Sequence, residues 1–339
     1  MRAAVLHAPN RLTLETRPRP EPKTGEVLVA IRRAGICGSD LHFFAGSSPM
    51  ALPQILGHEL AGEIVALGDG VTTPCVGDRV VIEPGIPCGK CFPCRRGKYN
   101  CCEHIDMIGV LRAGGFAEFV TVTAAYAHPM PARMTYEQGA LVEPFSIGAQ
   151  MIHRAEPRDG DTLVLIGLGP IGLTALILLK AWHPSVRVIG LDLVPERIAQ
   201  AKAFGCDLTI NPTEQDAVKT VMELTNDEGA AIVIECAGSP FTIGQTVHLV
   251  ASGGRIVIAG VTYKDVSFPG RVLTKKEVEI HGTRNNAGHF PRCMEFLASH
   301  PDIAGRFISA KMPFEKIAEA IQWAKDKPNE VIKIVLEIS

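Results

Sequence analysis

Cysteine carries the densest chemical signal in this chain. Five of its ten cysteines fall in one stretch, CGKCFPCRRGKYNCC, from Cys88 to Cys102. Cys88, Cys91 and Cys94 form two consecutive C-x-x-C units, and Cys101 and Cys102 follow. Two intervening residues let a tight loop aim two thiolates at one ion. Four thiolates close a tetrahedral shell, which makes a structural site and not a catalytic one. Gly89, Pro93 and Gly97 supply the turns. A redox C-x-x-C is the competing reading, and a third and fourth cysteine at regular spacing weigh against it. Spacing alone leaves Cys101 and Cys102 open as the fourth ligand.

Chemistry then has to be sought elsewhere. AGICGSDLHFF holds Cys37, Ser39, Asp40 and His42; LGHELAGEIVALGDGV holds His58 and Glu59; GALVEPFSIGAQ holds Glu143, an acid in an apolar setting. Singly each is weak, since a lone cysteine is usually a small buried hydrophobe. A Cys, a His and a carboxylate are the donor types of a catalytic zinc set, in which few protein ligands leave one position open; sequence spacing alone does not bring them together.

The elements that must position such groups read as two kinds. DTLVLIGLGPIGLTALILLKAW is an apolar strand, a glycine turn and an apolar helix. Gly167 permits the tight turn, Gly169 lets backbone approach a pyrophosphate, and Gly172 allows close helix–strand packing. Pro170 and Ile171 complete the turn. VRVIGLD is the next strand and ends in Asp192. A carboxylate there accepts ribose hydroxyls and repels a 2′-phosphate, which argues for NAD over NADP. Arg197 either reaches the adenosine ribose or sits on a solvated helix face. Short β-branched strands at 231–235, 255–259 and 278–282, mostly separated by helical segments, make the rhythm of a doubly wound parallel sheet. The Gly- and Pro-rich stretch before it, with short strands such as 27–31, reads as an irregular β domain. After it, EVIKIVLEIS reads as a strand.

Composition narrows the partners. The chain has 339 residues, 46% hydrophobic and 21% charged, with net charge −2, ordinary values for a folded two-domain protein. The pI near 6.6 gives no attraction to nucleic acid or anionic membrane. The first residues lack a signal-peptide pattern, and the longest apolar run, near Ala175 to Leu179, is too short to span a bilayer. A cytoplasmic location is expected, where thiols stay reduced and clustered cysteines bind metal. A zinc-ribbon nucleic-acid module would need a basic patch with interleaved aromatics, and CRRGK reads more simply as a solvated loop. A catalytically silent dinucleotide-binding sensor would be signalled by loss of the candidate set; Cys37, Ser39, His42, His58, Glu59 and Glu143 are all intact.

The G-H-E-x-x-G pattern of GHELAGEIVALGDGV, followed by Gly68 and Val71, resembles the signature of the zinc-containing medium-chain alcohol dehydrogenases. AGICGSDLH, the four-cysteine lobe, VGDRV (Val76 to Val80), GGFAEFV (Gly114 to Val120) and GLGPIG recur in that family in this order. The resemblance covers essentially the whole chain. GICGSD and the glutamate of VEPF look most like the sorbitol, threonine and sugar-acid dehydrogenase branch. The resemblance implies an α/β protein: a GroES-like β catalytic domain made of 1–152 and 290–339, and a Rossmann NAD-binding domain at 153–289.

It also implies roles. Cys37, His58 and Glu59 match catalytic zinc ligands, with Glu59 binding directly or swinging away. Glu143 matches an acid that contacts the metal directly or through water, in place of a second cysteine; that leaves the zinc a stronger Lewis acid. Cys88, Cys91, Cys94 and Cys102 match the structural zinc ligands, and Gly97-x-x-Asn100-x-Cys102 favours Cys102. Ser39 and His42 match a proton relay, and Asp40 a group orienting His58. Cys75, Cys206, Cys236 and Cys293 match no ligand position and read as buried or incidental. The implied reaction is reversible oxidation of a secondary alcohol of a polyol or sugar acid to a ketone, with hydride transfer to NAD. L-Threonine 3-dehydrogenase and a simple alcohol dehydrogenase are the neighbouring activities. The implied cofactors are NAD and two zinc ions, one catalytic and one structural, and the implied assembly is a homo-dimer or homo-tetramer. Arg284, in a loop the family places beside the nicotinamide, either offers a planar fork to a substrate carboxylate or pairs with a protein carboxylate.

Overall fold

The computed structural model describes residues 1–338. The chain divides into two compact units: Met1–Glu143 with Ala287–Ser339, and Pro144–Asn286. The first boundary falls inside the helix Val142–Ala155, not after residue 152. Packing is the reason. A Cβ on Gly148 would lie 2.6 Å from Thr174 Oγ1, so this helix is pressed against the helix Pro170–Trp182 of the second unit.

The largest sheet of the first unit runs in the order Ala127–Pro129, Arg79–Ile82, Glu59–Leu67, Glu26–Gly35, Lys333–Glu337 and Ile308–Pro313. Phe119–Thr123 also pairs with Glu26–Gly35. Apolar residues of these strands, among them Ile31, Leu60, Ile82 and Leu336, pack with Phe116 and Phe314 in one core. That β-branched, half-buried surface is what favours strand. Gly68 answers to close approach: a Cβ there would meet Lys23 O at 1.9 Å.

The tail strand Lys333–Glu337 lies antiparallel to Glu26–Gly35, with Val335 opposite Gly35. Glu59 also sits opposite Gly35, on the other flank. The Glu59 carboxylate passes over that glycine; a Cβ on Gly35 would fall 2.0 Å from Oε2. Beyond it, Lys333 Nζ donates to Glu59 Oε1 at 2.6 Å and Oε2 at 2.8 Å, and to Ile36 O at 3.0 Å. Glu59 is 0% and Lys333 3% exposed. Burial works against the Lys333 ammonium, but Glu59 and Cys37 outweigh it and its pKa is raised.

The second unit is a six-stranded parallel sheet ordered Leu208–Ile210, Arg187–Leu191, Thr162–Ile166, Ala230–Glu235, Val250–Ile258 and Glu279–Gly282. In the unit's own strand numbering this is 3-2-1-4-5-6, the doubly wound dinucleotide-binding order. Leu208–Ile210 has only three residues, too short to leave a run in the sequence. Among the described residues, no helix is long and apolar enough to cross a membrane.

Removing Lys333 leaves a buried carboxylate without its cation, which costs about 3–5 kcal/mol. Lys333→Met should therefore lower the thermal midpoint by many degrees. Lys333→Met with Glu59→Gln should recover most of it in the same calorimetric scan. Recovery that fails would mean the lysine stem, not the ion pair, carries the stability.

Candidate active site

Cys37 is the N-cap of the helix Gly38–Ala45. Asp40, on its first turn, accepts from the Cys37 N–H through Oδ2 at 2.9 Å. That capping geometry fixes the Cys37 side chain at the start of the helix. The other Asp40 oxygen lies 3.6 Å from His58 Nδ1. Both atoms are buried without a hydrogen-bond partner. His58 and Glu59 enter from the start of the neighbouring strand, and the ligand atoms of Cys37, His58 and Glu59 lie within 4.8 Å of one another.

The electrostatics of this group fit a cation. Asp40 is 0% exposed, and burial raises its pKa. Burial also pushes Glu143 up to about 7. Burial opposes the His58 imidazolium, yet Asp40 and Cys37 lift its pKa well above the usual range. Burial thus disfavours the charge on these carboxyls, a condition that a nearby divalent ion relieves. Glu143 shares this charge environment with His58 and Glu59 but is not a member of the three-atom group. Lys333 was not singled out in the sequence. Its signal was a single lysine inside the apolar run VIKIVL.

Ser39 is half-buried and His42 exposed. The His42 ring reaches Ser47 Oγ at 3.1 Å.

The four-cysteine group is equally compact. The Sγ atoms of Cys88, Cys91, Cys94 and Cys102 lie within 4.8 Å of one another. Cys91 Sγ is 3.3 Å from that of Cys94 and 3.7 Å from that of Cys102. The N–H groups of Cys88 and His104 donate to Cys102 Sγ, each at 3.3 Å. The amides of Lys90 and Cys91 hold the Cys88 thiol down to about 6. Four converging sulfurs with amide support are the donor set of a closed zinc site. Cys101 stays exposed and outside the group. All ten cysteines are free thiols; Cys206 and Cys293 are buried and Cys75 is exposed.

In the second unit a crevice of about 550 Å³ opens at the carboxyl ends of the strands. Gly167, Gly169, Pro170, Ile171, Gly172, Asp192 and Arg197 all line it. Gly167 has φ 88°, and a Cβ on Gly172 would meet Gly167 O at 2.0 Å. Gly169 caps the helix Pro170–Trp182, whose free N–H groups suit a phosphate. Asp192 is fixed by backbone: Oδ2 accepts from Leu168 N at 2.8 Å and Oδ1 from Val194 N at 2.9 Å. Arg197 Nη1 lies 3.9 Å from Asp192 Oδ2, so this residue faces the crevice carboxylate. Cys236 also lines the crevice.

Comparison with known proteins agrees with both halves. Residues 23–132 match the alcohol dehydrogenase GroES-like domain, and residues 170–299 match the zinc-binding dehydrogenase domain. The sorbitol dehydrogenase of Bacillus subtilis is 34% identical over 342 residues, covering 99% of this chain and 97% of that protein. Among solved structures, the rspB alcohol dehydrogenase of Escherichia coli CFT073, complexed with NADH, superposes with a TM-score of 0.95 at 32% identity; it covers 100% of this chain and 99% of its own. L-Idonate 5-dehydrogenase of Escherichia coli K-12 superposes with a TM-score of 0.90 at 25% identity, covering 99% and 98%. With two matched domains, full-length relatives and both cysteine-containing groups assembled, this chain belongs to the zinc-type medium-chain alcohol dehydrogenase family, oxidoreductases that act on CH–OH donors.

Proposed function

We propose that the chain reversibly oxidises a secondary alcohol of a polyol or sugar acid to a ketone, with hydride transfer to NAD. The convergence of Cys37, His58 and Glu59 carries this reading. The sorbitol and L-idonate dehydrogenases among its relatives support the substrate class. Cys37 and His58 would hold the catalytic zinc. Glu59 would join them when it leaves Lys333, and Glu143 would approach directly or through water. Cys88, Cys91, Cys94 and Cys102 would hold the structural ion. When bound, the catalytic zinc supplies a Lewis acid for an alcohol oxygen, and the nicotinamide supplies the hydride acceptor.

The chain's own residues handle orientation and the proton. Asp40, 3.6 Å from His58 Nδ1, would orient the His58 ring through that nitrogen, so that Nε2 would be free to hold the metal. Ser39 would take the hydroxyl proton, and His42, exposed at the surface, would hand it on to solvent. Asp192, held by two amides, offers its carboxylate to the adenosine ribose hydroxyls and disfavours a 2′-phosphate. Arg197 beside it makes a further contact to that ribose. A homo-dimer or homo-tetramer fits the edge strand Glu279–Gly282, which leaves Ile280 38% exposed, because such edges invite pairing. A cytoplasmic setting fits the ten free thiols.

Metal analysis by atomic absorption should find about two zinc ions per chain. Cys91→Ser should lose one of them and much of the folding yield, since a structural zinc contributes on the order of 10 kcal/mol. His58→Ala should abolish activity while leaving the circular dichroism spectrum unchanged. An active protein free of metal would sink the reading.

Cofactor choice gives a second test. NAD should be preferred over NADP by a large factor in kcat/KM. Asp192→Ala should weaken NAD by roughly 1.5–3 kcal/mol, the range for a hydrogen bond to a charged group, and narrow the preference. Equal use of both cofactors by the unaltered enzyme would remove the role given to Asp192. The substrate class is tested by NADH formation over sorbitol, aldonates, threonine and simple secondary alcohols. A polyol or aldonate should lead by at least about tenfold in kcat/KM, which corresponds to about 1.4 kcal/mol; a lead by threonine or a simple alcohol would contradict the proposal.

A further inference from the structure

A second cavity, of about 330 Å³, opens within the first unit. None of its lining residues belongs to either metal-binding group or to the crevice of the second unit. Its size lies at the small end of the roughly 300–1,000 Å³ range of ligand pockets. Val5, Ile55, Phe119 and Val120 give it apolar walls, and its charged side chains are those of Arg17 and Arg112. No aspartate or glutamate lines it. An apolar hollow whose side-chain charges are all positive is matched to an organic anion.

The two guanidinium groups differ in what they still have to offer. Arg112 is committed: Nη1 donates to Asp106 Oδ2 at 3.3 Å, and Nη2 to Glu26 Oε1 and Thr121 Oγ1, each at 3.0 Å. Arg17 is not. Its Nη2 lies 2.8 Å from Glu15 Oε2, a carboxylate that His7 and Thr13 also engage. Its Nε is enclosed by protein and has no hydrogen-bond partner. A buried donor left unmade is costly, and more so on a charged group. The backbone holds the residue in place: Arg17 N donates to Met1 O at 2.8 Å, and Pro18 follows. Arg19 brings a third guanidinium, 4.2 Å from the centroid of the Phe119 ring.

One wall of the cavity is also the support of the catalytic group. Ile55 and Gly114 line it. Gly114 N donates to Ile55 O at 2.8 Å, Phe116 N to Leu56 O at 2.9 Å and Gly115 N to Gly57 O at 2.9 Å, so this wall runs on directly into His58. We propose that the cavity binds a small organic carboxylate, with its charge on Arg17 and its apolar body against Val5, Ile55 and Phe119. The planar guanidinium is shaped for a carboxylate. An occupant would rest against the backbone that carries His58 without displacing a zinc ligand.

Benzoate is the probe, and benzamide, of nearly the same shape but uncharged, is its control. Binding of each to the zinc-loaded enzyme is measured by titration calorimetry. Benzoate should bind saturably and at least about tenfold more tightly than benzamide, because its hydrogen bonds to arginine are charge-assisted. Arg17→Gln should weaken benzoate by about tenfold and leave benzamide affinity, the thermal midpoint and NAD-linked turnover unchanged. Ala113→Trp fills the cavity from an exposed lining position with both arginines intact, and should remove binding of both compounds. Absence of saturable benzoate binding overturns the proposal, as does equal affinity for benzoate and benzamide. Benzoate affinity intact in Arg17→Gln, or intact in Ala113→Trp, puts the anion elsewhere and overturns it too. If Arg17→Gln lowers the thermal midpoint, Ala113→Trp decides alone.

Discussion

The ion pair between Lys333 and Glu59 is the constraint on which the first unit is organised. It joins the strand Lys333–Glu337 to the strand that begins at Glu59, directly after His58, across the width of Glu26–Gly35. A buried pair of this kind is weak evidence for stability by itself, since desolvation offsets much of the attraction. Here its position matters more than its energy. Glu59 is at once the lysine's partner and a member of the three-residue donor group. Anything that draws Glu59 toward an ion at that group must release some of its hold on Lys333. The lysine then remains near Cys37 and Glu143, both of which raise its pKa, so its charge stays compensated. Gly35 is the small residue that makes the crossing possible.

The second unit deals with charge by other means. Its crevice relies on backbone: the glycine turn, the opening of a helix and the amides that fix Asp192. Dipoles of this kind cost no buried ion and need no partner to be disarmed. The first unit, by contrast, gathers buried titratable side chains, Asp40, His58 and Glu59, into one cluster. One chain thus contains a site built from side-chain charge and a site built from main-chain geometry.

Much of this could be read from residue order. The four-cysteine group was legible because metal ligation demands short, regular spacing. The glycine turn was legible because a strand, three glycines and a helix leave a pattern that tolerates few substitutions. Cys37, His58 and Glu59 could be nominated but not joined, since their meeting depends on how strands pair. Lys333 lay furthest out of reach. It is separated from Glu59 by 274 positions, and one lysine in an apolar strand gives no hint of its partner. The short strand Leu208–Ile210 escaped because three residues carry no periodicity. The boundary inside the helix Val142–Ala155 escaped because an uninterrupted helix carries no composition shift where one unit ends and the next begins.

The discontinuous first unit has a consequence for the chain as it is made. Residues up to Glu143 leave the ribosome first, and the segment from Ala287 that completes their sheet follows only after all of Pro144–Asn286. At about 5–20 residues per second, the strand ahead waits on the order of ten seconds or more for Lys333–Glu337. Throughout that interval the end of the strand, Arg33 to Gly35, lacks its partner on one side, and Glu59 has no lysine. The intervening unit has its own sheet and can fold meanwhile. Glu59 therefore meets the cation that compensates it only after the last strand of its sheet has been made.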